Sequence, residues 1–573
     1  MKMLNKDYPL YESTLFEDFR EMIENVANKY PARTAFSFKK DPKDAAVKRV
    51  TFDETRYDVR DLATALIELG CRDKHCALIG GTSLGWIYSY FALMAMGAVT
   101  VPLDKDWAAQ DLASTIQKAE CEYVFYADEV KEKLDAISAE NPGIKKFVCI
   151  WGEGREGDLR LEGLIEHGGV LVADGNTDYY DYEIDSDRLA SIVFTSGTTG
   201  KGKGVMLSQR NICTDMYQGM YLFAITDKTF CVLPLHHTYG SSVNIVAHYP
   251  QGCEIYLSSG LKYIQRELKA EKPGHLILVP LFVEAFYKKI WANARQSGKE
   301  KKLKSAIKLS NALLKVGIDR RRQLFKDIHE FFGGNLEFII SGGAPLNQKI
   351  IDFFDAIGIT IMNGYGITEC SPFITCNRNL WTKKGSVGCP FYGEEIKISD
   401  PDEKGEGEIC VRGSNVMLGY YKDEEATKAV IDEEGFFHTG DIGKLDSDGW
   451  VYITGRKKNI IILSNGKNVY PEELENDISR IEGVGEIIVH EGRIKKTGKQ
   501  VIVAEIFPDL ELLGERGIQP SGAKDYFADK INELNKDLPP YKQIGYVKIR
   551  DKEFDKNTSR KITRFNISKD IEE

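Results

Sequence analysis

Short apolar runs alternate with segments whose apolar residues recur at every third or fourth position, and this alternation constrains the fold most. Cys76–Ile79 reads as a strand, Ser83–Met96 as a helix and Ala98–Pro102 as a strand; Asp111–Lys118 and Tyr123–Phe125 repeat the beat. Such alternation joins parallel strands through helical crossovers, so an α/β fold of parallel-rich sheets covered by helices is expected. Upstream, Thr14 is expected to cap a helix whose apolar face carries Leu15, Phe16, Phe19, Met22, Ile23 and Val26. Residues 152–188 are polar and glycine-rich and read as a long surface connection. A chain of 573 residues exceeds a single core. A weak boundary lies near Gly443–Gly455.

The segment 189–204 narrows the chemistry. Leu189–Val193 reads as a buried strand, and Phe194 leads into Thr195, Ser196, Gly197, Thr198, Thr199 and Gly200, closed by Lys201 and Lys203. The glycines turn the backbone tightly, leaving N–H groups and hydroxyls to face an anion, and lysine is a compact cation suited to phosphate oxygens. Gly197 to Lys203 fits G-x-x-x-x-G-K, but Gly204 stands where a Walker A loop carries Ser or Thr for magnesium. The reading is a nucleotide phosphate cradle of another kind; the plain alternative is a flexible surface turn.

Further glycine-rich runs follow apolar ones. Gly342, Gly343, Ala344 and Pro345 come after Leu336–Ile340, and Asn363, Gly364, Tyr365, Gly366, Thr368 and Glu369 after Ile357–Met362. Glycines after a strand let a flat base approach the backbone, an aromatic such as Tyr365 can stack on it, and Glu369 is a hard oxygen ligand suited to magnesium beside phosphates. Gly419-Tyr420-Tyr421, Phe437 to Asp441 and Gly455 to Lys458 complete the series. Asp441 can accept both hydroxyls of a ribose, and Arg456 can reach ribose or phosphate oxygens. Singly, each run also reads as a turn, a capping aspartate or a solvated basic pair.

Together, in this order, the motifs resemble those of the adenylate-forming (AMP-binding) enzyme superfamily, which includes acyl-CoA synthetases, adenylation domains and luciferases. The match is strongest over 190–475, and the usual proline before the second loop lysine is here Gly202. The resemblance implies a large AMP- and acyl-binding domain over 1–455 and a small mobile α+β lid over 456–573, with Lys458 at the hinge. It implies ATP, Mg2+ and CoA as cofactors and small-molecule substrates as partners. The C-terminal catalytic lysine is carried over to Lys561, in Lys561-Ile562-Thr563-Arg564, where Arg560 replaces the family's usual glycine. Thr198, Glu369 and His237 join it in the catalytic set, Glu369 as the metal ligand and His237 at the gate of an acyl pocket written in Leu233–Ser242; a satisfied turn histidine is the alternative. The resemblance also implies that Gly466 lies in the loop that meets the acceptor after lid rotation.

No Asp or Glu lies between Cys231 and Gln251, which argues against an amino-acid substrate. The hinge segment 456–473 and the basic segment 299–326 resemble bacterial long-chain fatty-acid–CoA ligases, so a medium- or long-chain fatty acid transferred to CoA is expected. Transfer to a carrier protein, an aromatic acid substrate, or a non-catalytic nucleotide-binding relative are the alternatives. The segment 299–326 carries Lys301, Lys302, Lys304, Lys308, Lys315 and Arg320–Arg322 among leucines, and it reads as a peripheral membrane contact or a solvated helix pair. Residues 1–7 lack the apolar core of a secretory signal and no run approaches 18 apolar residues. Eleven cysteines without a C-x-x-C pair read as reduced, mostly buried thiols of a cytoplasmic protein. A net charge of −10 argues against a nucleic-acid partner.

Overall fold

The structure is a computed structural model that describes residues 11–195, 202–379, 381–463, 467–496, 499–556, 562–564 and 567–571. These fall into two compact units. The larger lies within Met1–Gly343, Asp352–Glu395 and Val411–Phe437; the smaller lies within Ala344–Ile351, Ile396–Cys410 and His438–Glu573.

The expected βα alternation builds the largest sheet of the first unit. His75–Ile79, Val99–Leu103, Tyr123–Ala127 and Lys146–Trp151 are parallel, linked by the helices Leu84–Ala95 and Ala109–Lys118. Ser83 caps the first helix by accepting the Trp86 N–H, which ends the preceding strand's turn in the way a serine favours. Leu189–Thr195 adds beside Val99–Leu103, and Lys203–Ser208 folds back on it as an antiparallel hairpin partner. Val101, Leu103, Val124, Tyr126 and Ile192 from the strands meet Leu112, Ala113 and Ile116 of a covering helix in one buried cluster. A second sheet pairs His275–Leu278, Phe338–Ser341 and Thr360–Gly366 in parallel, with Phe373–Cys376 antiparallel to the last.

Two expectations are corrected. The first helix begins at Phe19, and Asp18 rather than Thr14 caps it, accepting the Glu21 N–H; Leu15 is left exposed. The aspartate places a carboxylate at the positive helix end, which a threonine one turn earlier cannot do. Residues 152–188 are not one surface connection: Leu161–Ala173 is a helix packed on the helix Phe52–Glu68. Gly168 permits that contact, because a β-carbon there would stand 1.7 Å from the Asp61 carbonyl oxygen. Gly168 is thus a close-approach position on a helix, whereas Gly152, Gly154, Gly157 and Gly175 lie outside it at positive φ.

The smaller unit contains the hairpin Phe437–Leu445 with Val451–Arg456 and a long antiparallel pair, Val484–Ile494 with Gln500–Pro508. Tyr546–Ile549 runs parallel beside the second strand of that pair. Leu474, Ile478, Val489, Ile502, Ala504, Ile506, Phe527 and Ile531 form its core. No helix among the described residues is long and apolar enough to cross a membrane.

Candidate functional site

In the larger unit the hairpin positions the ends of the phosphate loop. Thr195 and Lys203 face each other in register, and Thr195 Oγ1 lies 3.5 Å from the Lys203 carbonyl oxygen. Ser196, Gly197, Thr198, Thr199 and Gly200 lie outside the described residues. Gly419–Tyr420 pairs antiparallel to the returning strand, which sets Tyr420 beside Lys203: the ammonium stands 4.4 Å from the ring centroid. Tyr420 then donates its hydroxyl to Glu369 Oε1 at 2.9 Å, while the Glu369 carbonyl accepts the Met417 N–H. Burial and the adjacent Glu369 charge push the Tyr420 phenol up, so it stays protonated as a donor. Lysine, aromatic ring and carboxylate thus form one chain at the mouth of the loop.

The second sheet delivers the glycine motifs to one edge. Ser341 and Asn363 are partners on parallel strands, so Gly342 and Gly364 emerge side by side at the strands' C-terminal ends, where open α/β sheets bind ligands. A β-carbon on Gly342 would lie 3.2 Å from the Tyr239 hydroxyl and 3.3 Å from the Gly364 oxygen. Gly343 has φ +84, a left-handed conformation that favours glycine. Gly366 is required by packing, since a β-carbon would meet the Pro372 carbonyl at 1.9 Å. Tyr365 is buried, Asn363 and Thr368 half-buried, and the Asn363 carbonyl accepts the Asn377 N–H and its side-chain amide. Ala344 and Pro345 are exposed and fall in the smaller unit.

The acyl-pocket motif continues from His237 into Tyr239–Val246, which is wound as a π-helix, a form concentrated at functional sites. Tyr239 lies 3.2 Å from both the Leu278 and Ile340 carbonyls, tying the motif beneath Gly342. His237 is half-buried with its ring 4.2 Å from that of His236. Burial pushes His236 down to about 4, so it is neutral at pH 7. Its 3.6 Å approach to Asp104 is therefore a neutral contact rather than an ion pair.

In the smaller unit Asp441 and Arg456 are register partners. Arg456 Nε and Nη2 reach the two Asp441 carboxylate oxygens at 2.5 and 3.2 Å, a bidentate pair. Gly440 donates its N–H to Glu408, which also accepts from Lys457 at 2.8 Å and meets His438 at 3.2 Å. Burial raises the Glu408 carboxyl, but these partners outweigh it and hold the group below its ordinary range. Desolvation and the Arg456 charge push the Lys458 ammonium down.

Lys561 and Gly466 lie outside the described residues, but the bases of their loops do not. Lys556 and Ile562 form an antiparallel bridge, and Thr563 donates its N–H to the Asp555 carbonyl. Arg564 binds both Glu475 oxygens at 2.6 and 2.7 Å and donates to the Val489 carbonyl. Ile461–Ile462 and Asn468–Val469 likewise close the loop holding Gly466. Tyr420 and Arg564 were visible in the motifs without a role; an aromatic following Gly419 and an arginine closing the lysine tail were the available signals.

The donor chemistry suits a magnesium–nucleotide. Glu369 offers a half-buried carboxylate with one oxygen fixed by Tyr420, and Mg2+ takes one or two carboxylates together with substrate phosphates rather than a full protein cage. Among the described residues no three His, Cys, Asp or Glu side chains converge as a metal-binding group.

Residues 23–421 match the family described as AMP-binding enzyme. Over 346 residues the chain is 35% identical to Long-chain-fatty-acid–CoA ligase 6 of Rattus norvegicus, covering 57% of this chain and 49% of that one, so it spans about half of that relative's length. Over 610 residues it is 29% identical to Long-chain-fatty-acid–CoA ligase 1 of Homo sapiens, covering 96% and 84%. The crystal structure of the anthranilate CoA ligase AuaEII in complex with anthranoyl-AMP superposes with a TM-score of 0.76 at 19% identity, covering 98% of each chain. At that identity the likeness is one of fold.

Proposed function

Because the chain belongs to the AMP-binding enzyme family, we propose that it is an acid–thiol ligase that converts a fatty acid to its acyl-adenylate and passes the acyl group to CoA. The carrying observation is the convergence of Lys203, Tyr420 and Glu369 at the ends of the loop bearing the phosphate motif. The substrate carboxylate is ionised at neutral pH and needs no general base. It attacks the α-phosphorus of ATP; the bond to the bridging oxygen breaks and pyrophosphate leaves. Mg2+ held through Glu369 would supply charge neutralisation to the departing phosphates. Thr195, Thr198 and Lys203 bind phosphate oxygens, Gly342 to Pro345 and Asn363 to Gly366 line the base, Asp441 holds the ribose, and Lys561 carries the positive charge to the phosphorus. The CoA thiol then attacks the mixed anhydride and AMP departs, with 456–573 as the lid that turns between the two steps.

Long-chain acids are the favoured substrates, in keeping with the two fatty-acid ligases above. Pyrophosphate release across acids of graded chain length, with CoA or a phosphopantetheinyl carrier protein as acceptor, tests the reading. Release should peak with long chains and thioester should form on CoA. Pyrophosphate release without CoA thioester identifies the carrier-protein ligase, and ATP binding with no release for any acid identifies a non-catalytic relative.

The basic segment also supports a peripheral membrane contact. Leu309, Val316 and Ile318 are exposed beside Lys302, Lys308 and Lys315 on and just after the helix Glu300–Lys315. Such a face suits an anionic surface in which fatty acids partition. Sedimentation with anionic vesicles should fall on reversing these three lysines to glutamate; unchanged sedimentation rejects the contact.

A further inference from the structure

A buried group of oxygen atoms in the larger unit belongs to none of the chemistry above. The helix Gln209–Met220 turns Asn211, Asp215 and Gln218 inward, at spacings that place them on one face. Asn211 donates to the Ser414 and Val416 carbonyls at 2.8 and 3.0 Å, which holds the segment around Asn415 against the helix. Asp215 is fully buried and its Oδ2 accepts the Phe373 N–H at 3.2 Å. Asn415 is also fully buried and donates Nδ2 to the Phe373 carbonyl at 2.9 Å, so the other amide atom must be the oxygen. Across Gly413 stands Glu394, itself buried: a β-carbon on that glycine would lie 2.9 Å from Asn415 Oδ1 and 3.0 Å from Glu394 Cγ. Gln218 abuts the neighbouring Gly393 through its amide nitrogen, since a β-carbon on that glycine would lie 3.1 Å from Nε2.

Five oxygens of this group have no hydrogen-bond partner: Asp215 Oδ1, Gln218 Oε1, both Glu394 carboxylate oxygens and Asn415 Oδ1. An unpaired buried carboxylate is costly, and two together cost more. Burial, and for Glu394 the Asp215 charge as well, pushes both carboxyls well above their ordinary range. Protonating both would supply only two donors for these five unpartnered oxygens, whereas a hard cation is a ligand that carboxylate and amide oxygens share. The amide oxygens matter here, since they are neutral acceptors that point to a ligand independently of the acidic pair.

We propose that Asp215, Glu394, Asn415 and Gln218 form a structural site for a hard, oxygen-ligated cation, distinct from the Glu369 position. Two carboxylates match a divalent ion, and Ca2+ accommodates the larger number of oxygens better than Mg2+. Its role is to fasten the helix Gln209–Met220, which follows the phosphate-loop hairpin, to the segments around 394 and 415.

The test uses the full chain without nucleotide, so that no magnesium–ATP confuses the readout. Bound metal is measured by plasma mass spectrometry after desalting, and Tm is followed under EDTA and then on titration with Ca2+, Mg2+ and K+. The expected results are about one equivalent of cation per chain, a Tm lowered by several degrees on chelation, and recovery with Ca2+ ahead of the other two. The double variant D215N/E394Q should lose both the ion and the response, whereas E369Q should keep both. A wild-type protein with no co-purifying ion and a Tm indifferent to EDTA and all three cations overturns the proposal. So does a D215N/E394Q variant as stable as the wild type under every condition, because the carboxyls are then simply protonated.

Discussion

At the scale of single residues, the site depends on side chains that do two things at once. Tyr420 offers its ring face to Lys203 and its hydroxyl to Glu369. Tyr420→Phe keeps the first contact and removes the second, a hydrogen bond to a charged group. We expect about a tenfold loss in kcat/KM, roughly the 1.4 kcal/mol such a bond contributes. The loss should appear chiefly as a raised Mg2+ requirement, measured by pyrophosphate release across a Mg2+ series; an unchanged requirement would detach Tyr420 from the metal position. Lys561→Ala should lower adenylate formation by roughly 10²–10³, in line with removal of one preorganised charge donor. ATP binding and acyl transfer to CoA from supplied acyl-AMP should survive, and loss of both half-reactions together would contradict a lid that uses two positions. Glycines divide at this scale as well: Gly343 answers to its backbone angle, whereas Gly366 and Gly168 answer to atoms that leave no room for a β-carbon.

Among elements, the contact between the turn after the π-helical segment and the strand His275–Leu278 carries a pH dependence. His248 Nδ1 donates to the Val243 carbonyl, so its Nε2 must accept the 2.8 Å bond from His275 Nε2–H, and His275 Nδ1 then accepts from Thr226. Each ring holds one proton in this arrangement, and a second proton on His248 would set its Nε2–H against the His275 Nε2–H. Burial accordingly holds His248 at about 4, and burial with the His248 charge drives His275 well down. Both folded values lie below the unfolded one, so between about pH 6.5 and pH 4 the unfolded chain binds more protons and stability falls as pH falls. We expect a lower urea midpoint at pH 5 than at pH 7, and a flatter profile in His248→Gln. Identical pH slopes in the two proteins would remove the pair as the cause. This contact was not legible beforehand, because two histidines 27 positions apart show no spacing that distinguishes a stacked pair from two separate core residues.

For the whole molecule, the thiols report how completely the larger sheets are closed. All eleven cysteines are free and only Cys389 is more than marginally exposed. Ellman's reagent should therefore modify about one thiol rapidly in the native protein and all eleven after unfolding; rapid native modification of several would contradict the packing. The strand and helix runs, the hydroxyl-glycine-lysine loop and the order of motifs could be read directly, because each is a local property of periodicity or side-chain chemistry within a few residues. The Asp18 cap and the helix Leu161–Ala173 escaped that reading, since a cap depends on competing nearby acceptors and a glycine-rich helix face depends on the element it packs against. Tertiary structure alone decided that Glu369 would meet Tyr420, that Arg564 would anchor its tail on Glu475, and that Asp215 and Glu394 would share one buried space. These pairings follow from strand order and register, which are set by the burial of whole faces and leave no mark at the separate positions they join.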